Sequence, residues 1–345
     1  MDHVTPLTAA PQNHPPIAFG RVGVLLINLG TPEHLTDASV RAYLAEFLSD
    51  KRVVDYPSIL WQPVLRGIIL RTRPAKTRAA YAKIWDRETD ESPLRRYTRE
   101  QAEKLREKLP SEIVVDWAMR YGVPGTAATL QKMQDMGCDR ILLVPLYPQY
   151  SATTTGTACD AAFAWAQKQP WQPALRVMPA FHDNPGLIAA LAGLCRAHVT
   201  EKTERVILSF HGLPERYFKQ GDPYHCHCHK TARLMREALG WSEEFAPVAF
   251  QSKFGPEKWL EPSTESLVIT AAEEGLTNIA VVTPGFVSDC IETLEEVGIG
   301  LAETFEEAGG ETLTAIPCLN SSDAFIDVLN GLVRRELGGW MPSES

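Results

Sequence analysis

The sequence predicts an α/β protein of two doubly wound halves, each a parallel sheet flanked by helices. Three observations predict it. Five short runs of β-branched and aliphatic residues are apolar throughout rather than alternating, as strands buried on both faces are. Each run stops at a loop of turn residues, and helical stretches lie between the runs. The chain's 345 residues exceed one ordinary small domain and suit two.

The first run spans 22–29 (VGVLLINL) and turns at Gly30-Thr31-Pro32. Helical patterns follow at 37–48 and 98–109. The run 113–117 (IVVDW) leads into 118–122, and 140–146 (RILLVPL) leads into Tyr147-Pro148-Gln149-Tyr150-Ser151. Breakers cluster at 178–186 (MPAFHDNPG), which places a boundary there. Beyond it, 205–210 (RVILSF) ends at His211-Gly212, and 279–283 (IAVVT) ends at Pro284-Gly285-Phe286. Helical stretches accompany them at 230–239, 264–274 and 291–308. The expected organisation is a loose tail at 1–19, an N-terminal α/β domain at 20–182 and a C-terminal α/β domain at 183–320. A helical segment at 321–345 has either domain open to it, including a return onto the first.

A net charge of -9 and a pI of about 5.6 argue against general nucleic-acid binding, which needs a basic face. The seven cysteines are odd in number and scattered, so they read as free thiols of a reducing, cytoplasmic setting rather than a disulfide framework. Residues 1–20 are Pro-rich and polar, without the apolar stretch of a secretory leader. The segment 58–70 (SILWQPVLRGIIL) is too short to span a bilayer. Three readings stay open for it: a peripheral membrane contact, an apolar pocket wall or a buried helix.

Ligands of open parallel sheets bind outside the carboxyl ends of the strands, and unusual polar residues fall there. His211 directly follows an apolar strand, and an ordinary imidazole pKa of about 6.5 lets it take a proton or hold a metal. A loop histidine bonded to its own turn is the plainer alternative. In 288–296 (SDCIETLEE), Asp289, Glu292 and Glu296 are spaced i, i+3, i+7 and are expected on one helical face, as a cation path or proton store would place them. Asp289 with Glu292 fits a capping box equally well. The hydroxyl-rich 147–156 loop suits either anion binding or redundant N-caps. The run 225–229 (HCHCH) is rich in metal ligands, but adjacent residues cannot all reach one ion. No GxGxxG, Walker loop or GxSxG elbow is present.

Five stretches together resemble the ferrochelatase family: 25–32 (LLINLGTP), 147–151 (YPQYS), 209–214 (SFHGLP), 221–224 (GDPY) and 289–296 (DCIETLEE). The resemblance covers about 22–337. It implies two Rossmann-like, chelatase-like domains with a porphyrin cleft between them, and insertion of Fe2+ into protoporphyrin IX. It implies that His211 and Glu292 face each other across the macrocycle as catalytic groups and metal ligands, with Glu296 continuing the acidic row. Leu29 would line the cleft, Tyr81 and Ser92 would lie near the porphyrin edge, and Arg120 and Tyr121 near the cleft. Many members carry a His where this chain has Cys290, so a second His is not needed here. The animal-type [2Fe-2S] site is not expected, because Ala152 stands where its first Cys would be. The remaining set for such a cluster is Cys159, Cys226, Cys228 and Cys318; no cofactor beyond the Fe2+ substrate is otherwise expected. Competing readings are coproporphyrin III as substrate, a non-catalytic haem or metal carrier, and a sirohydrochlorin or cobalt chelatase relative. Oligomeric state is left open.

Overall fold

The computed structural model describes residue 13, residues 18–253 and residues 257–341, so the predicted tail lies largely outside the described residues. In chain order the first half holds β1 (Arg21–Gly30), α1 (Asp37–Ser49), α2 (Ser58–Val64), α3 (Leu70–Ile84), α4 (Pro93–Lys108), β2 (Ile113–Tyr121), α5 (Thr126–Asp135), β3 (Cys138–Pro145), α6 (Thr157–Ala166) and β4 (Ala174–Val177). The second half holds α7 (Pro185–His198), β5 (Arg205–His211), α8 (Glu215–Lys219), α9 (Tyr224–Leu239), β6 (Val248–Gln251), α10 (Thr264–Glu273), β7 (Asn278–Val282), α11 (Ala302–Glu307) and β8 (Thr312–Ala315). The helix α12 (Asp323–Glu336) follows. Three π-helical stretches interrupt the helices, at Leu65–Ile69, Ala152–Gly156 and Glu292–Leu301.

Every strand pairing is parallel, and the two sheets share one plan, β2-β1-β3-β4 and β6-β5-β7-β8. The apolar runs make this arrangement. In β1, Val24 and Leu26 face one cluster while Leu25 and Ile27 face another, so period-2 alternation buries both faces. The strand order reverses beside β1 and beside β5, which opens a crevice at the carboxyl end of each sheet. Three strands had no sequence signal: β4, β6 and β8 are four residues each. They lie at sheet edges and are too short to display a period.

The two halves share one core. A single cluster joins Val24 and Leu142 of the first sheet to Leu208 and Val282 of the second, through Leu105 of α4, Leu191 of α7 and Leu329 of α12. The last helix packs on α4 and α7. Lys108 holds Asp327 at 2.7 Å, and Arg334 donates to the Lys108 carbonyl at 3.0 Å.

The 58–70 segment is not the buried helix that its apolar composition allowed. Ile59 is 84% exposed, Leu60 68% and Ile68 59%, because it is Leu65 and Leu70, with Trp61 and Ile69 partly buried beside them, that turn toward Tyr43 and Val40. Among the described residues no helix is long and apolar enough to cross a membrane.

Candidate active site

The second sheet presents His211 as the last residue of β5. Its Nδ1 lies 2.7 Å from the Gly212 carbonyl, which can only accept. That contact calls for the proton on Nδ1, so in the neutral imidazole the lone pair falls on Nε2. Glycine is required next, because a Cβ on Gly212 would stand 2.6 Å from the Gln251 carbonyl and 3.0 Å from the Trp259 ring. From below, the Tyr224 hydroxyl donates to the His211 carbonyl at 3.0 Å. Gln251 pairs with His211 in register, accepts from the Ser209 hydroxyl at 2.7 Å and donates to the Glu292 carbonyl at 3.0 Å. This buried amide ties the strand end that carries the imidazole to the segment that carries the acid.

Glu292 opens the π-helical stretch, whose wider turn re-aims side chains relative to an α-helix. Asp289 does not join the acidic row. It precedes the helix and is buried, accepting from Thr293 at 2.9 Å, the Cys318 amide at 3.2 Å and Asn320 at 2.7 Å. The i, i+3, i+7 face and the capping box both fail here, because the helix begins later and Asp289 clamps the 318–320 loop. Glu295 pairs with Lys83 of α3 at 2.8 Å, across the two halves. Glu296 bonds to Ser252. Surrounding protein and then the Glu292 charge push the Glu296 carboxyl up to about 7. Water still reaches it along an exposed flank, and that tempers the push.

The first half supplies the opposite wall. Tyr81 of α3 is buried, and burial followed by the Glu292 charge pushes its phenol well up. Tyr43 of α1 is buried beside it; burial, then Tyr81, then Glu292 raise its phenol. Tyr43 was not expected at the site, although Val40, Tyr43 and Leu44 recur at the spacing of one helical face. Leu29 is half-buried and packs against the Tyr43–Tyr121 cluster. Ser92 is 1% exposed and caps α4, accepting from the Arg95 amide at 3.3 Å. Arg120 and Tyr121 enter a network around Asp50. Arg120 donates to the Thr157 hydroxyl at 2.7 Å and pairs with Asp50, and the Tyr121 hydroxyl donates to Asp50 at 2.9 Å. Burial alone would raise the Asp50 carboxyl, but bonds from Thr157, the Arg52 amide and Tyr121, with the Arg120 charge, hold it below its usual range. Tyr121 is fully buried.

The 147–156 loop binds a carboxylate of its own chain. Asp222 of the GDPY stretch accepts from the Ala152 amide at 2.7 Å and the Ser151 hydroxyl at 3.1 Å. The four cysteines considered for a cluster are not brought together. Cys226 is exposed and Cys228 buried on α9, Cys159 is half-buried on α6, and Cys318 is buried near Cys290. Among the described residues no three His, Cys, Asp or Glu side chains converge as a metal group. Burial, then the Glu292 charge, push the Cys290 thiol up, so it stays protonated. A groove of about 530 Å³ between α7 and α12 holds none of these residues; the chemistry gathers at the strand ends instead.

Comparison with known proteins identifies the family. The profile described as Ferrochelatase matches residues 21–337. The ferrochelatase of Agrobacterium fabrum (strain C58) is 52% identical over 342 residues, covering 98% of this chain and 99% of the relative. That of Rhizobium meliloti (strain 1021) is 51% identical over 337 residues, covering 96% and 99%. Among solved structures, SirB from Bacillus subtilis with Fe3+ superposes at a TM-score of 0.52 and 12% identity, over 92% of this chain and 95% of that one. The cobalt complex of the sirohydrochlorin chelatase SirB from Bacillus subtilis subspecies spizizenii gives 0.53 at 11% identity, over 92% and 96%. These two likenesses establish the two-lobed fold alone. A family profile spanning nearly the whole chain, with relatives about half identical from end to end, makes this chain a member of the ferrochelatase family.

Proposed function

We propose that this protein inserts Fe2+ into protoporphyrin IX with release of two protons, and that His211 and Glu292 are its catalytic pair. The reaction class, a lyase that inserts iron into a porphyrin, rests on family membership. The observation that carries the site is the free Nε2 of His211, left by the Nδ1 bond to Gly212, on a strand end tied through Gln251 to the Glu292 segment.

A free porphyrin bears two pyrrole N–H protons, and both leave as the metal enters. In this reading His211 Nε2 takes a pyrrole proton as general base. The carboxylate of Glu292 replaces water on the incoming Fe2+ substrate. Glu296, with a carboxyl near neutrality, passes protons toward solvent along its exposed flank. A His/Glu set does not select Fe2+ over Co2+ or Zn2+ by affinity, so Zn2+ is inserted as well.

The exposed Ile59, Leu60 and Ile68 support an apolar docking strip, read here as a peripheral contact with a membrane surface. Such an approach favours protoporphyrin, with two propionates, over the four-carboxylate coproporphyrin III. The test is anaerobic incubation with Fe2+ and each porphyrin, followed by the Soret and visible bands. The expected outcome is faster conversion of protoporphyrin IX, with His211→Ala lowering turnover about 100- to 10,000-fold while porphyrin still binds. Binding without insertion of either metal by the wild type would leave only the carrier reading.

A further inference from the structure

Outside the cleft, α9 carries a second set of imidazoles that the insertion reaction does not use. The 225–229 run forms its first turns, and a twist of about 100° per residue parts its members. Tyr224 and Cys228 enter the core, and Cys226 is exposed. His227 turns aside to stack on His182, with ring centroids 3.7 Å apart. His225 and His229, one turn apart, are left sharing a face. Their ring centroids are 4.4 Å apart and the planes are inclined at 47°. Both rest on Phe250 of the edge strand β6, at 5.8 and 6.2 Å, and Phe218 lies 4.9 Å from His225. Among the described residues no hydrogen bond engages either ring.

Two histidines at i and i+4 are the spacing by which one helix face grips a zinc ion. Two nitrogens at about 2.0–2.1 Å from one tetrahedral ion set the ring centres roughly 5 Å apart, so the pair, at 4.4 Å, has only to open slightly to take one. A hard cation such as Mg2+ or Ca2+ asks for oxygen ligands and does not suit the pair. We propose that His225 and His229 form a two-imidazole site for a borderline divalent cation (Zn2+, Ni2+ or Cu2+) at the β6 edge, apart from His211 and Glu292. No third His, Cys, Asp or Glu among the described residues completes the set, so water fills the remaining positions and the ion exchanges freely. A bound ion ties the first turn of α9 to the second. Because Tyr224 in that turn holds the His211 carbonyl, occupancy stiffens the support of the base.

The test is equilibrium dialysis of Zn2+ against full-length, porphyrin-free protein in a His211→Ala background, which weakens binding in the cleft. Adding His225→Ala or His229→Ala is expected to weaken one equivalent of Zn2+ on the order of 100-fold, because the second ligation is intramolecular. Adding Cys226→Ser is expected to change nothing. Zn2+ is also expected to raise Tm in the background protein and in Cys226→Ser, but less in either His variant; melting without metal checks that each is folded, and His225→Asn replaces any that is not. Unchanged affinity and Tm response in the His variants, or loss with Cys226→Ser alone, would overturn the site and leave the pair as aromatic packing on Phe250.

Discussion

At the residue scale, the site depends on which polar atoms remain free once the chain has folded. His211 keeps Nε2 because Nδ1 is committed to Gly212, whereas the carboxylate of Asp289 is fully engaged by Thr293, Cys318 and Asn320. The residue beside the base has no latitude. Gly212→Ala is expected to lower both stability and turnover, since its methyl meets the Gln251 carbonyl and the Trp259 ring; urea unfolding and the insertion assay read the two effects. Glu296 makes a pH prediction. Its carboxyl is raised to about 7 from an ordinary 4.5, so the folded chain binds a proton that the unfolded chain releases earlier. Its contribution is fully present below about pH 4.5 and is lost as pH rises to about 7. Glu296→Gln is expected to match the wild type in Tm near pH 4.5 and to exceed it above pH 7 by a constant margin. A margin that does not change with pH would show that the raised carboxyl is not coupled to folding.

At the element scale, short segments carry placements that their composition leaves undecided. Ser92 illustrates a helix end: it precedes Pro93 and caps α4, so Ser92→Ala is expected to cost about 1 kcal/mol in chemical denaturation. α4 in turn holds the acidic segment, because buried Gln101 donates to the Ser288 hydroxyl at 2.9 Å and the Asn320 carbonyl at 2.8 Å. α2 lacks any buried residue, and its outward Ile59 and Leu60 are the place to test surface attachment. Wild-type protein is expected to float with liposomes, and Ile59→Asp with Leu60→Asp to stay in the soluble fraction with unchanged Tm. Wild-type protein that remains wholly soluble would end the membrane reading. The sequence indicated a helix at 291–308, but its first ten residues are π-helical, and that changes which carboxylates share a face. Hydrophobic periodicity does not report a shift of one residue per turn.

At the scale of the whole molecule, the two sheets are joined by one continuous core and bridged at the cleft by Lys83 and Glu295. Calorimetry is therefore expected to show one unfolding transition. Leu329→Ala, at a fully buried position of α12, is expected to lower that single transition by about 2–5 kcal/mol; two separable transitions would mean that the halves fold independently. Much of this architecture was legible in the chain. The runs 22–29, 140–146 and 205–210 are apolar without alternation, short and bounded by turn residues, as strands covered on both faces are. The position of His211 at the end of such a run was legible for the same reason, since strand ends are where parallel sheets open; Glu292 lies ten residues past the end of β7, in the segment that follows. The four-residue edge strands β4, β6 and β8 were not legible, because four residues carry no distinctive period. Nor were Tyr43 beside Tyr81, Gln251 beneath Glu292, or the exposure of Ile59 and Leu60. What the sequence by itself determined is the local chemistry: which segments must be buried, where they stop, and which residue types wait at the stops. Only the tertiary structure decided which of those polar groups are consumed by folding and which stay free, because partners such as Lys83 and Glu295, or Gln101 and Asn320, lie more than two hundred residues apart and meet through packing that no local pattern encodes.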